Sequence, residues 1–148
     1  MRISTKGRYA LAAMVHMAQG HAKGECTTLI SISEKLGISK IYLEQVFSLL
    51  KRGDIVTSVK GAQGGYMLTR PPGEISAYQV LSAVESALME KTEDSVTEKA
   101  PEIDAALHAL VFDALDSAVT AALEKVTLDG LVQEAEKHSA GQGLMFYI

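Results

Sequence analysis

Apolar positions in the first half of the chain follow a helical period with short interruptions. Tyr9, Ala12, Ala13, His16 and Met17 recur at the spacing of one helix face, which predicts a first helix from Thr5 to about Gly20. A polar turn at Lys23-Gly24-Glu25 leads to Cys26, and Thr27-Thr28 offers a cap for a second, short helix. Leu36-Gly37-Ile38-Ser39 then reads as a tight turn: Gly37 suits the left-handed conformation that ends one helix, and Ser39 caps the next. From Ser39 to Arg52 the apolar residues Leu43, Val46, Phe47 and Leu50 share one face, while Lys40, Ile41, Glu44, Gln45, Ser48 and Arg52 share the other. The pattern then changes. Ile55 to Val59 is β-branched, Tyr66 to Thr69 is a second short strand stopped by Pro71-Pro72, and the glycine-rich run Lys60-Gly61-Ala62-Gln63-Gly64-Gly65 joins them.

In the second half, Ser76 caps a helix from Ala77 to about Ala87 with Val80, Leu81 and Val84 inward, and Glu90 to Lys99 is a polar exposed loop. Pro101 opens a long helix to about Lys125. Its stripe of Ile103, Leu107, Leu110, Ala114, Ala118 and Ala121 is widened by Val111, Leu115 and Ala122. That is more apolar face than a small domain covers, so pairing with a second copy is expected, the alanines permitting close approach. A last helix runs from Leu128 to about His138, followed by a flexible linker, Ser139 to Gly143, and the apolar residues Leu144 to Ile148. The expected fold is mainly α with a small β wing. A winged helix-turn-helix domain occupies 1–75, a helical linker and dimerisation region 76–138 with its long helix at about 101–125, and a flexible C-terminal tail 139–148.

Charge sharpens this picture. The net charge of −4 hides a split: residues 1–72 hold ten Lys/Arg against four Asp/Glu, and residues 73–148 hold four against fourteen. The basic half is the half with the helix-turn-helix, and nucleic-acid affinity depends on the local patch rather than the overall charge. Tyr42, Glu44 and Gln45 are therefore candidates for base contacts, since amides and carboxylates read base edges in a major groove. Ser39, Lys40, Lys60, Gly61, Gln63 and Gly64 are candidates for phosphates or a minor groove, and Arg2, Ser4, Thr5 and Lys6 for the DNA backbone. The plainer alternatives are a simple hairpin loop and a solvated N-terminus. A nucleotide-binding P-loop is excluded because no Gly-Lys-Ser/Thr follows the glycines.

Other chemistry is sparse. There is no acid–base pair, nucleophile–base spacing or cofactor fingerprint, so neither an enzyme nor a cofactor is expected. His16, His21, His108 and His138 show no metal-ligand spacing, and no metal is expected. One cysteine permits no internal disulfide and fits a reducing cytoplasm. Cys26 is either a redox-sensing thiol or, more plainly, a small buried hydrophobe. Without an apolar run near about 18 residues or a signal peptide, no membrane association is expected.

Four blocks, in order, carry a resemblance: Met1-Arg2-Ile3-Ser4-Thr5-Lys6-Gly7-Arg8-Tyr9-Ala10; Gly37-Ile38-Ser39 with Tyr42-Leu43-Glu44-Gln45; Ser58 to Tyr66; and Thr127-Leu128-Asp129-Gly130-Leu131-Val132. Together they resemble the Rrf2 family of bacterial transcription regulators. The resemblance implies a cytoplasmic homodimer that binds double-stranded DNA at a palindromic operator. In iron–sulfur members, three cysteines lie in the loop that corresponds to Glu90–Lys99; none is present here, and His108 is one residue out of step with a histidine ligand found in some relatives. The cluster mechanism is therefore not expected to carry over. Absent cluster cysteines, a single cysteine before the second helix and the ending Met145-Phe146-Tyr147-Ile148 are similar to the CymR-type repressors of cysteine metabolism. That type implies a repressor working in complex with cysteine synthase, an enzyme known to accept a C-terminal isoleucine in its active site. The tail is expected to dock on that partner, or otherwise to fold back on the dimer or add to a sheet edge. The alternative function is a family regulator sensing redox state, nitric oxide or a metal centre.

Overall fold

The computed structural model describes the backbone of residues 2–24, 26–61 and 64–147, and the side chains among these up to residue 141. Its elements are α1 (Thr5–Gln19), α2 (Leu29–Leu36), α3 (Lys40–Arg52), β1 (Val56–Ser58), β2 (Tyr66–Leu68), α4 (Ala77–Val84), α5 (Pro101–Leu107), α6 (Asp113–Glu124) and α7 (Leu128–Tyr147). Short 3-10 turns lie at His21–Lys23, Pro72–Glu74 and Ala87–Met89, and a π-helical turn spans His108–Phe112. The expected mainly helical class with a two-stranded antiparallel wing is what forms.

One core serves α1 to α4, the wing and the start of α7. Phe47 is its largest fully buried side chain, joined by Met14, Ile32, Leu43, Leu50, Ile55, Ile75, Val80 and Leu128. Burying a side chain of that size contributes roughly 1.5–3 kcal/mol. The inward face of α1 differs from the predicted one: Gly7, Ala10, Ala13, Met14, Met17 and Ala18 are buried, Ala12 is exposed, and Tyr9 and His16 are half-buried. Small residues at Gly7, Ala10 and Ala18 let α4 and α7 come close to α1. Close approach, not side-chain bulk, therefore selects the buried face.

Glu85, the residue that ends α4, is also buried. Its Oε1 accepts from the Ser4 N–H at 2.9 Å and from the Ser4 hydroxyl, while Ser4 itself caps α1 by accepting from the Gly7 N–H at 3.2 Å. Gly7 has no room for a side chain there: an added Cβ would press on Glu85 Oε1 and lie 2.8 Å from Ile3 Cγ2.

The predicted long helix is realised as α5, the π turn and α6 in succession. No residue of α6 is buried, and Leu110 is 80% exposed, with Ile103, Val111 and Leu115 about half-exposed. By length and composition Pro101–Glu124 is apolar enough to cross a membrane. That corrects the expectation that no such segment exists; Asp104, Asp113 and Asp116 break the segment into shorter apolar runs, so no single long run marks it. The final helix also departs from expectation. Instead of ending near His138 before a flexible linker, α7 continues to Tyr147. The helix formers around Gly141 and Gly143 offset a glycine cost of about 1 kcal/mol each. Met145, Phe146 and Tyr147 continue its backbone, while their side chains, and all of Ile148, lie outside the described residues.

Candidate nucleic-acid interface

The helix-turn-helix is built by local chemistry. Gly37 adopts φ 70° and closes α2 with its N–H on Ser33 O, and Ser33 Oγ donates to Ile38 O at 2.6 Å. Buried Ile38 pins the turn to the core. Ser39 then caps α3, its Oγ accepting from the Tyr42 N–H at 3.2 Å. Leu43, Val46, Phe47 and Leu50 face inward as predicted, which orients the opposite face of α3 to solvent.

On that face Ile41, Glu44, Gln45 and Ser48 are exposed and, with half-buried Leu49, line one open depression. Ile41 is 72% exposed, a large apolar side chain left in water. Lys40 lies 4.0 Å from Glu44, a solvent-exposed pair worth at most about 1 kcal/mol and easily exchanged for a ligand. Tyr42 borders this surface rather than lining it: it is half-buried, its ring packed edge-on against Tyr9 at 5.2 Å. Ring burial is the stronger demand, because α3 turns that position toward α1.

The wing is fastened to α3 and to the segment before α2. Lys51 Nζ donates to Ser58 Oγ at 2.9 Å, and Thr69 Oγ1 and Arg70 Nη1 donate to Asp54 O at 2.7 and 3.1 Å. Asp54 takes φ 60°, a left-handed turn that aspartate tolerates. Thr27 adds a bridge to β2, exchanging hydrogen bonds with Tyr66 at 2.9 and 2.8 Å. Lys60 and Gly61 are exposed, Gly64 has φ 65°, and Gln63 lies outside the described residues. Cys26 is exposed rather than a buried hydrophobe, because the Thr27 bridge places it at the base of the wing, its Sγ 3.5 Å from Gly64 O.

At the N-terminus Arg2 and Thr5 are exposed and Lys6 is half-buried. Ser4 is committed to capping α1 and to Glu85. Arg8, which spacing alone does not single out, is exposed, its guanidinium donating to Ile3 O at 2.7 Å and Thr5 Oγ1 at 3.1 Å. Its helical position three residues after Thr5 was the available signal.

A second polar cluster lies away from this surface. Asp104 is buried, its Oδ1 accepting from the N–H groups of Ser95 and Val96 at 2.9 and 3.2 Å and its Oδ2 from Thr97 Oγ1 at 2.8 Å. These bonds, the Ser95 one foremost, hold its carboxyl below the usual carboxylate range. His108 is raised above the ordinary histidine value, chiefly by its hydrogen bond with Asp113.

Comparison with known proteins agrees with this architecture. The Rrf2 family model, described as an iron-dependent transcriptional regulator, matches residues 3–134. The chain is 38% identical over 136 residues to the HTH-type transcriptional regulator IscR of Pectobacterium atrosepticum, covering 92% of this chain and 82% of that protein. Among solved structures it is similar to CymR, the global cysteine regulator of B. subtilis (TM-score 0.75, 31% identity, 90% of this chain and 98% of that one). It is equally similar to T. potens IscR (TM-score 0.74, 33% identity, 99% and 97%). An iron–sulfur cluster does not fit the residues present, because the loop facing α5 has no cysteine and Cys26 sits on the wing. With residues 3–134 matched and relatives of both kinds sharing the fold, the chain belongs to the Rrf2 family of DNA-binding transcriptional regulators.

Proposed function

We propose that the chain is a cytoplasmic, homodimeric repressor of cysteine and sulfur-metabolism genes that acts with cysteine synthase at a palindromic operator. The exposed face of α3 carries the DNA-binding part of this reading, because it offers Gln45, Glu44 and Ile41 side by side with nothing else to cover them. Gln45 pairs with adenine, Glu44 accepts from cytosine N4, and Ile41 meets a thymine methyl. Ser39, Lys40, Lys60, Gly61, Gln63 and Gly64 hold phosphates or the minor groove, with Arg2, Thr5 and Lys6 beside them. Ser4 acts indirectly by fixing the start of α1.

The dimer is supported by the exposed stripe of Ile103, Leu110, Ala114, Ala118 and Ala121 with half-buried Leu107. A second copy covers it in the same manner as a helix-bundle core, and this, rather than a bilayer, accounts for the apolar composition of Pro101–Glu124. Two-fold symmetry then sets two α3 helices on successive major-groove faces.

The cysteine-metabolism part is supported by likeness to CymR of B. subtilis and by the tail Met145-Phe146-Tyr147-Ile148. Titration with cysteine synthase tests it, using the full chain and a variant lacking Leu144–Ile148, read by light scattering and operator affinity. Complex formation that needs the tail and tightens DNA binding is expected. Equal behaviour of both forms removes the tail as the input.

The likeness to IscR and the exposure of Cys26 favour a second reading, a regulator sensing redox state, nitric oxide or a metal centre. Acid-labile sulfide in anaerobically purified protein, or a DNA affinity that changes on oxidation and is insensitive to it in Cys26→Ser, would establish that reading.

A further inference from the structure

We infer that the cleft between α1, the end of α2 and α7 binds a straight-chain monocarboxylic acid, its carboxylate on His16 and Lys35 and its hydrocarbon chain on the apolar walls. The cleft measures about 520 Å³, with Ala12, Val15, Leu36, Leu131 and Ala135 supplying those walls. Small-molecule sites commonly have this make-up, a mostly apolar concavity with a few polar groups converging on it.

His16 is the main argument. Its Nδ1 is buried and makes no hydrogen bond, a state that costs stability until a partner arrives. Burial, and after it Lys35, keeps the ring neutral, so with its one proton on Nδ1 it can donate to an incoming acceptor. Lys35 also lines the cleft and forms no ion pair among the described residues. The one carboxylate at the cleft, Glu134, is already matched on α7 by His138 at 3.2 Å and Lys137 at 3.8 Å. An ammonium and an imidazole donor are therefore left facing the cleft without an anion, and charge complementarity selects a carboxylate for them.

The walls define the rest of the ligand. Along α1 the lining changes from Ala12 and Val15 to His16 and Gln19 within about one turn, so a single molecule meets carbon at one end and polar groups at the other. Leu36, Leu131 and Ala135 are half-buried and extend the hydrocarbon surface across α2 and α7. A compact anion would leave these walls wet, and a plain hydrocarbon would leave His16 unpaired; an acid with a chain of several methylenes satisfies both. Neither α5 nor α6 contributes a residue to the cleft, so pairing through their apolar stripe leaves it open. Lys35 and Leu36 immediately precede the Gly37–Ser39 turn, which puts the site in the DNA-binding half of the chain.

Acetate, hexanoate and octanoate are the probes, titrated into the full chain and followed by calorimetry and by NMR of the histidine rings. One octanoate per chain is expected, with binding tightened about fourfold by each methylene added between hexanoate and octanoate, and with acetate at least a hundredfold weaker. Ala12→Leu, at an exposed position whose larger side chain fills the cleft, should weaken octanoate binding about tenfold or more. Lys35→Ala, also exposed, should weaken it about two- to fivefold. A bound carboxylate should raise the pH at which His16 titrates, a shift that apolar contact alone does not produce. Absence of saturable binding, affinity indifferent to chain length or to Ala12→Leu, an unmoved His16 titration, or uptake coupled to dissociation of the proposed dimer would overturn the assignment.

Discussion

Replacing Gly7 with alanine ought to stabilise an ordinary helix by about 1 kcal/mol, and in this molecule it should do the opposite. The added methyl collides with Glu85 Oε1, which is buried and tied to Ser4, and also approaches Ile3 Cγ2 at 2.8 Å. Ile3 is half-buried and its side chain can turn away. Glu85 cannot withdraw without giving up its bonds from Ser4. Overpacking costs about 1–3 kcal/mol, and loss of a hydrogen bond to a charged group about 1.5–3 kcal/mol. Set against the helix gain, the net loss is about 2–4 kcal/mol, a fall in Tm of roughly 5–15 °C for a chain of this size. Urea or thermal unfolding at fixed protein concentration measures it, because the Tm of a protein that self-associates, as proposed above, depends on concentration. The decisive control is the same substitution in a Glu85→Ala background, where the obstruction is gone and Gly7→Ala should be neutral to stabilising. Equal destabilisation in both backgrounds, or a gain in the wild type, would refute the role given to Glu85.

Other outcomes follow from the same geometry. Leu110→Asp should convert the dimer to a folded monomer in light scattering, since Leu110 is 80% exposed and its loss leaves no cavity within the chain. Lys60→Ala should weaken binding to cognate and random DNA alike and lower the slope of log affinity against log salt by about one. His16 is held below the ordinary value of 6.5, first by burial and then by Lys35. Its neutral form is thus favoured by folding, so its contribution is present above pH 6.5 and lost as pH falls below that. His16→Gln should flatten that part of the stability profile in denaturant titrations.

What could be read from the sequence was local. The α3 face and the Gly37–Ser39 turn depend on residues within a few positions of one another, and spacing alone defines them. The buried face of α1 was missed because Gly7 and Ala10 carry little hydrophobic signal; their value lies in how near α4 can come. Ser4 and Glu85 are 81 residues apart, and no periodic pattern joins them. Tyr42 was legible as part of α3 but not as Tyr9's neighbour, since that contact depends on how two helices cross. Cys26 is exposed because Thr27 bridges to Tyr66, a pairing made across the wing. The cleft beside His16 is walled by α1, α2 and α7, three helices that no single period relates.

On the proposed function, the exposed face of α3 reads base pairs in a symmetric site. Selection of binding sequences from random duplex DNA, run in parallel with the wild-type chain and Gln45→Ala, tests it most directly. The wild type should enrich an inverted repeat whose half-sites lie about one helical turn, roughly 10 base pairs, apart. Gln45→Ala should recover the same repeat with one position per half-site relaxed, a discrimination of about 1–3 kcal/mol lost there. No enriched sequence, a motif without two-fold symmetry, or an identical motif from both proteins would rule out base reading by α3 in a symmetric site.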